Sequence, residues 1–388
     1  MQENCTDGGV RVSASHPGAE MLCATGPPLE PPMTLIPTVT ETRARARADL
    51  RMGLPVVLSE GYIVAAVETL TAERFEALRA LGRPTLAITA WRARTLKART
   101  YDGDIARIAL PDFATRTWVQ SVADPTADLS HPMKGPLEGL RDGPAGPHRA
   151  AIALAKAARL LPAALVVEVE DPGGFAAARG LTRLSAPAAM EEAAPFNRIV
   201  HARLPLAAAQ AGRLHVFRND DGDEEHFAVE IGHPDRAAPV LARLHSACFT
   251  GDVLGSLKCD CGPQLRTALA QMGAEGAGVL LYLNQEGRGI GLTNKMRAYS
   301  LQDQGFDTVD ANHRLGFEDD ERDFRVGAEI LRQMGFRAVR LMTNNPAKIA
   351  RMEDNGITVT ERVALVTGET RENADYLETK RSRSGHLR

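Results

Sequence analysis

No stretch of about 18 consecutive apolar residues, the length a helix needs to cross a bilayer, occurs in this sequence, although 44% of its residues are hydrophobic. A membrane span is therefore not expected, and the apolar content is left for buried cores. Charge of one sign is also missing. The 46 Lys and Arg against 49 Asp and Glu leave a formal net charge of -3, which gives no global attraction to polyanions and argues against a nucleic-acid polymer as partner. Met1–Pro32 has neither the basic region nor the continuous apolar region of a secretion signal, so the expected location is cytoplasmic. Cysteine is scarce and odd in number, five in all, which excludes a simple disulfide framework. Internal repeats and long heptad patterns are absent as well.

What the sequence has is length for two domains and a texture that changes twice. Residues 1–40, rich in Pro, Gly, Ser and Thr, read as an irregular segment. Residues 41–196 alternate apolar runs (Val56–Val67, Pro84–Ala90, Ala164–Val169) with helical patterns (Thr71–Leu81, His148–Leu161), which predicts an α/β domain. From 197 to 388 strands joined by tight turns come first, with Asp220-Asp221-Gly222-Asp223 as a hairpin signal, and helices alternate with strands afterwards.

Three of the cysteines crowd into the segment Cys248–Cys261, which ends Cys259-Asp260-Cys261-Gly262. A bend there would converge three thiolates on one ion, and in a reducing compartment such crowding points to zinc before disulfide. Three protein ligands leave a fourth position for a water, whose pKa on catalytic zinc falls toward about 7. A structural zinc completed by His245 or His313, or three inert buried thiols, fits the same spacing.

The run Gln285-Glu286-Gly287-Arg288-Gly289-Ile290-Gly291 lies between a predicted strand, Gly278–Leu283, and a predicted helix, Thr293–Gln304. Its glycines allow backbone N–H groups to face an anion, with Arg288 as a forked cation, although such a run is also simply a turn. Asp319-Asp320-Glu321 is expected to open a helix over 319–334, where acids suit the positive end of the dipole. Arg322 in that first turn gains nothing from the dipole, which marks it as placed for another purpose. In Thr343-Asn344-Asn345-Pro346, Asn345 suits the helix N-cap and Pro346 the first helical position.

Together with Arg243-Leu244-His245-Ser246, Thr250-Gly251-Asp252, Asn294-Lys295, Ala298-Tyr299 and Asp320-Glu321-Arg322-Asp323-Phe324, these motifs resemble GTP cyclohydrolase II in order and spacing. The resemblance runs from about Phe196 to Leu387 and includes Tyr376–Lys380 and Gly385-His386. It implies an α+β catalytic domain that opens the purine ring of GTP, giving a diaminopyrimidinone ribosyl phosphate, formate and pyrophosphate, the entry step of riboflavin synthesis. It also implies catalytic zinc on Cys248, Cys259 and Cys261, magnesium with the substrate phosphates, and a homodimer. By the same likeness Arg322 attacks the α-phosphate as pyrophosphate leaves, Asp320 assists as a base, and Tyr299 acts near the ring. The nucleotide falls to Arg243, His245, Ser246, Gln264, Glu286, Gly287, Arg288, Thr308, Thr343 and Lys348.

Three positions depart from the family pattern. Where a glutamate, an arginine and an arginine are usual, this chain has Ala247, Asn284 and Lys258. Lost partners at a buried site weaken discrimination by a few kcal/mol, so opening of the uracil ring of a nucleotide such as UMP, in uracil catabolism, is the alternative reading. A zinc- and nucleotide-binding regulator without turnover is the alternative from another class. In the first domain, the stretch from Gly146-Pro147-His148 to Glu168 resembles the helix-to-strand part of dihydroxybutanone phosphate synthase. That chemistry needs clustered carboxylates for magnesium, and Val56–Leu70 contains only Glu60 and Glu68. The expectation is a non-catalytic domain with a scaffolding or oligomerising role. Arg11–Pro17 resembles the N-terminal extension of longer cyclohydrolase II-like proteins, some linked to uracil catabolism.

Overall fold

The computed structural model describes residues 35–191 and 196–365, with 367, 368, 370 and 373. Most of the irregular opening, and the stretches Arg11–Pro17, Tyr376–Lys380 and Gly385-His386, lie outside the described residues. Helix α1 (Val39–Arg51) starts at a capping box in which Thr38 and Glu41 satisfy each other's backbone N–H groups. The Val56–Val67 run folds as a hairpin, β1 (Val56–Leu58) and β2 (Tyr62–Ala66), because Gly61 at φ 89° reverses the chain between them. Then follow α2 (Ala72–Leu81), capped by Thr71, β3 (Thr85–Thr89), α3 (Ala90–Thr95), β4 (Ile105–Ala109) and α4 (Arg116–Ala123). The first half ends with α5 (Gly146–Ala157), β5 (Ala163–Glu168), α6 (Pro172–Arg179), β6 (Arg183–Leu184) and α7 (Ala186–Met190). Its strands form one sheet in the order β4-β3-β5-β2-β1-β6, with β1 and β6 parallel and the other pairs antiparallel.

The second sheet is built from β7 (Phe196–Arg203), β8 (Gly212–Asn219), β9 (His226–Ile231), β10 (Val240–Ser246), β11 (Gly278–Leu283), β12 (Ala338–Met342) and β13 (Thr358–Val363). Its order is β13-β12-β10-β11-β9-β8-β7. β8 and β9 form the hairpin that the Asp-Asp-Gly-Asp turn predicts. The contacts between β10 and β11, β10 and β12, and β12 and β13 are parallel, so these four strands point their carboxyl ends the same way. The crossover helices are α8 (Cys261–Glu275), α9 (Gly291–Asp303), α10 (Thr308–Leu315), α11 (Arg325–Gln333) and α12 (Pro346–Asp354). Asn345 and Pro346 cap α12 as their types require.

One expected element is not formed. The helix predicted over 319–334 begins only at Arg325, and residues 319–324 are a loop. Local side-chain bonds take the place of the helical ladder. Asp320 Oδ1 accepts the Arg322 N–H at 3.2 Å, and Asp323 Oδ1 accepts the Arg325 N–H at 2.9 Å. Arg322 is therefore not in a first helical turn, and the dipole argument for it falls away.

The described residues from Thr38 onward form one compact unit. One hydrophobic core joins Leu86, Ile88 and Leu165 of the first sheet to Ala298, Leu301 and Leu315 of α9 and α10, and a second core lies under β10, β11 and β12. His148 on α5 is 5% exposed, with Nε2 2.6 Å from Thr85 Oγ1. Burial, with the nearby Arg107 charge, lowers its pKa from 6.5 to about 4. The unfolded chain takes up this proton between those values and the folded chain does not. Stability from His148 is thus complete above pH 6.5 and lost as pH falls toward 4, by at most about 1.4 kcal/mol per pH unit. His148→Asn should flatten the fall of the urea midpoint on acidification; an unchanged slope would refute this.

Candidate active site

The carboxyl ends of β10, β11 and β12 open into a cavity of about 340 Å³, where open α/β sheets place their ligands. β10 delivers Arg243, His245 and Ser246, the segment between β10 and α8 delivers Cys248 and Cys259, and the first residue of α8 is Cys261. The turn after β11 adds Glu286, Gly287 and Arg288, while α8, α9 and α10 add Gln264, Tyr299 and Thr308. Asp320 and Arg322 come from the loop before α11, and Thr343 and Lys348 from the end of β12 and from α12. All the site residues that the family likeness implies line this one cavity.

The three thiols converge because the chain turns sharply after Cys248. A single π-helical turn, Phe249–Val253, carries Gly251 beneath the sulfurs. A Cβ on Gly251 would lie 2.7 Å from Cys259 Sγ and 3.1 Å from Cys248 Sγ, so only glycine fits. The three Sγ atoms lie within 4.8 Å of one another, and Cys248 and Cys259 are 3.6 Å apart. Ligands at about 2.3 Å from a tetrahedral zinc stand roughly 3.8 Å apart, so the trio fits that ion. Of the two histidines that would close a four-ligand site, His245 has Nε2 3.0 Å from Asp252, and His313 stacks on Trp91 outside the thiol group. Hydrogen bonds with Cys259 and Cys261 and the Lys295 ammonium draw the Cys248 thiol below its ordinary value. Cys259 and Cys261, next to that thiolate, are pushed up.

Lys295 and Asp252 were not among the candidates, yet both organise the centre. Lys295 Nζ, buried, lies 3.0 Å from Cys248 Sγ and donates to Thr250 Oγ1 at 2.9 Å and Glu286 Oε1 at 2.8 Å. Three thiolates around a divalent cation would carry one net negative charge, which a neighbouring ammonium would offset. The available signal was spacing: Lys295 precedes Tyr299 by one helical turn, so the two share a face of α9. The Tyr299 ring stands 5.7 Å from Lys295 Nζ and 5.1 Å from Lys258 Nζ, and burial raises its pKa. Asp252 accepts the Cys248 N–H and the Tyr282 hydroxyl, each at 3.0 Å, and fixes His245 as well.

The glycine-rich turn differs from the expected anion cradle. The Gly287 N–H donates to Glu286 Oε1 at 3.0 Å and the Gly289 N–H to Gln285 O at 3.2 Å, so neither amide is turned to a ligand. The cationic element is the Arg288 side chain, on a backbone at φ 63°. Glu286 ties this turn to the thiol segment by accepting the Phe249 N–H at 2.6 Å. Opposite, Arg243 is 7% exposed and holds Gln264 Oε1 at 2.5 Å and Met342 O at 2.9 Å, leaving its buried Nε without a partner. Burial lowers its pKa to about 10. Gln264 Nε2 in turn donates to Asp260 at 2.6 Å, which fixes the orientation of the amide. Lys348 Nζ donates to Leu244 O at 3.0 Å, and Thr308 Oγ1 accepts from Gln302 at 3.1 Å.

Arg322 and Asp320 form a two-point pair, Nε to Oδ1 at 2.7 Å and Nη2 to Oδ2 at 2.5 Å, while Nη1 reaches Ser246 Oγ at 3.2 Å. Burial pushes the Asp320 carboxyl up, but the bonds and charge of Arg322 outweigh it and hold the group below its ordinary value.

The three departures from the family pattern do not lie together. Asn284 faces a second cavity of about 450 Å³, donating from Nδ2 to Glu225 O at 2.6 Å, with the paired Arg159 and Glu224 beside it. Ala247 borders both cavities. Lys258 borders the first and holds Asp303 at 2.5 Å. The Asn284 side chain therefore does not line the cavity that holds the thiols. In the first sheet, Glu60 accepts the Ala186 N–H at 2.9 Å, and Glu68 accepts the Leu161 N–H at 2.7 Å and pairs with Arg297 at 3.1 Å. Both carboxylates are engaged by the fold, in different places.

The family profile described as GTP cyclohydrolase II matches residues 197–364. A GTP cyclohydrolase-2 of Azospirillum brasilense is 44% identical over 357 residues, covering 88% of this chain and 93% of that protein. A GTP cyclohydrolase-2 of Actinobacillus succinogenes is 53% identical over 193 residues, covering 50% of this chain and 88% of its own length. A solved two-domain 3,4-dihydroxy-2-butanone 4-phosphate synthase from A. baumannii shares 17% identity and a TM-score of 0.30, over 83% of this chain and 99% of that one, a likeness too low to carry a functional reading.

Proposed function

Because the chain belongs to the GTP cyclohydrolase II family, we propose that it is a zinc-dependent hydrolase that converts GTP to a diaminopyrimidinone ribosyl phosphate, formate and pyrophosphate. The observation that carries this reading is the convergence of three thiols with Tyr299, Asp320 and Arg322 on one cavity. Cys248, Cys259 and Cys261 would hold the zinc, which supplies the Lewis acidity that makes water nucleophilic at neutral pH. Gln264, oriented by Arg243 and Asp260, is suited to hydrogen-bond the edge of the base. Arg288, Lys348 and Lys258 place cations for the phosphates, with magnesium as their counterion. Arg322 attacks the α-phosphorus through a guanidinium nitrogen as the bond to the β-phosphate oxygen breaks, and its proton passes to Asp320, already within hydrogen-bond reach. Water then cleaves the phosphorus–nitrogen bond and restores Arg322. Tyr299, neutral at pH 7, is placed to donate near the ring.

In this reading catalysis belongs to residues 197–388, residues 41–196 form a non-catalytic domain, and the protein works as a cytoplasmic homodimer. Among the described residues no helix is long and apolar enough to cross a membrane. The competing substrate is a uracil nucleotide. Of the three departures that motivate that alternative, Asn284 lies outside the cavity of the thiols, while Ala247 and Lys258 border it. Parallel incubation of zinc-loaded protein with GTP and UMP decides. Formate and pyrophosphate from GTP, with the uracil absorbance of UMP intact, is the expected result; loss of uracil absorbance with GTP untouched would overturn it.

A further inference from the structure

Helices of the first sheet reach the loop that carries Asp320 and Arg322. Lys156, near the end of α5, donates to Glu321 Oε1 at 2.6 Å, and the two side chains are only 25% and 20% exposed. Glu321 stands between Asp320 and Arg322. Its Oε1 also accepts the Glu318 N–H at 2.9 Å, and its own N–H donates to Arg288 O at 3.0 Å. A second attachment comes from α3. Trp91 donates from Nε1 to Glu318 Oε2 at 2.8 Å and stacks on His313 with ring centroids 3.5 Å apart. His313 Nε2 lies 2.7 Å from Asp319 Oδ1, outside hydrogen-bond geometry, and Asp319 O accepts from Arg288 at 3.2 Å.

The backbone is equally close on both sides. A Cβ at Gly316, which ends α10 at φ 89°, would lie 2.8 Å from Thr89 Oγ1 and 2.9 Å from Pro162 Cγ, both in the first half of the chain. A Cβ at Gly289 would lie 2.6 Å from Glu321 O. The loop is thus clamped between the glycine-rich turn of the active site and α3 and α5. It has no helical or sheet ladder of its own, so its reactive side chains are held only as firmly as these supports hold it.

We propose that the first domain positions Asp320 and Arg322 for reaction, with Lys156 and Trp91 as the positioning residues. This deepens the reading that Arg322 and Asp320 act on the nucleotide and rests on it. The two residues touch no reacting atom; they fix the loop from behind, where a displacement of about 1 Å is enough to cost on the order of 100-fold in rate.

The test compares full-length, zinc-loaded Lys156→Ala, Lys156→Arg and Trp91→Phe with the wild type. For Lys156→Ala we expect amide hydrogen exchange in residues 317–323 to quicken by about tenfold while β10 and β12 keep their protection. With GTP, kcat for formate release should fall by about tenfold, with KM within about twofold and zinc content unchanged. Lys156→Arg should restore most of both effects, because it keeps the ion pair. Trp91→Phe keeps a stacking ring but loses the donor to Glu318, and should show a smaller change of the same kind. Unchanged exchange in 317–323, or equal acceleration throughout the chain, would overturn the proposal. Should Lys156→Ala fail to fold, Trp91→Phe decides by the same readouts. Wild-type protein that turns over no nucleotide would defeat the functional reading, whereas the exchange comparison would still judge the clamp.

Discussion

Serine in place of Cys259 or Cys261 is expected to remove bound zinc and turnover together. A thiolate supplies charge and polarisability that a neutral hydroxyl does not, and each sulfur is one of the three that converge here. The loss in metal affinity should exceed the 10–100-fold typical of changes to the groups around metal ligands. Metal analysis of the purified variant, beside formate release from GTP, measures both at once; full zinc occupancy with wild-type rates would refute the assignment. Gly251→Ala reaches the same centre by geometry alone. Its new methyl would lie 2.7 Å from Cys259 Sγ and 3.1 Å from Cys248 Sγ, so the sulfurs must part. Zinc and activity should fall although every ligand is retained.

The second large effect concerns Arg322. In Arg322→Lys, pyrophosphate release should drop by about 100-fold or more, and opening of the ring by much less, because lysine cannot reproduce the planar fork that meets both oxygens of Asp320 and reaches Ser246. Parallel assays of pyrophosphate and formate separate the two steps. Equal loss of both would show that Arg322 only holds the ligand.

Some of this protein was determined by sequence alone, wherever the physics is local. The crowding of Cys248, Cys259 and Cys261 marked the thiol cluster, since groups close in sequence need only one turn to converge. Thr71 and Asn345 set helix starts through bonds within three residues of themselves, Pro346 suits the first helical position by its fixed φ, and the alternation of strands and helices after Gly262 followed from hydrophobic period. Tertiary structure decided the rest. The acids at 319–321 look like a helix start, yet Asp320 is taken by Arg322, Glu321 by Lys156, and Asp319 O by Arg288, so the segment is a loop. Asn284 looked like a loss at the substrate and instead faces another cavity, because a residue at a strand end reveals its side only once its neighbours are placed. Lys295, in sequence only a part of the motifs that carry the family resemblance, shows its place at the centre once the thiols converge beside it. The grip of Trp91 and Lys156 on the loop at 318–321 joins residues 227 and 165 positions apart. Contacts at that separation leave no local pattern, because they arise only when two sheets with separate hydrophobic periods share one core.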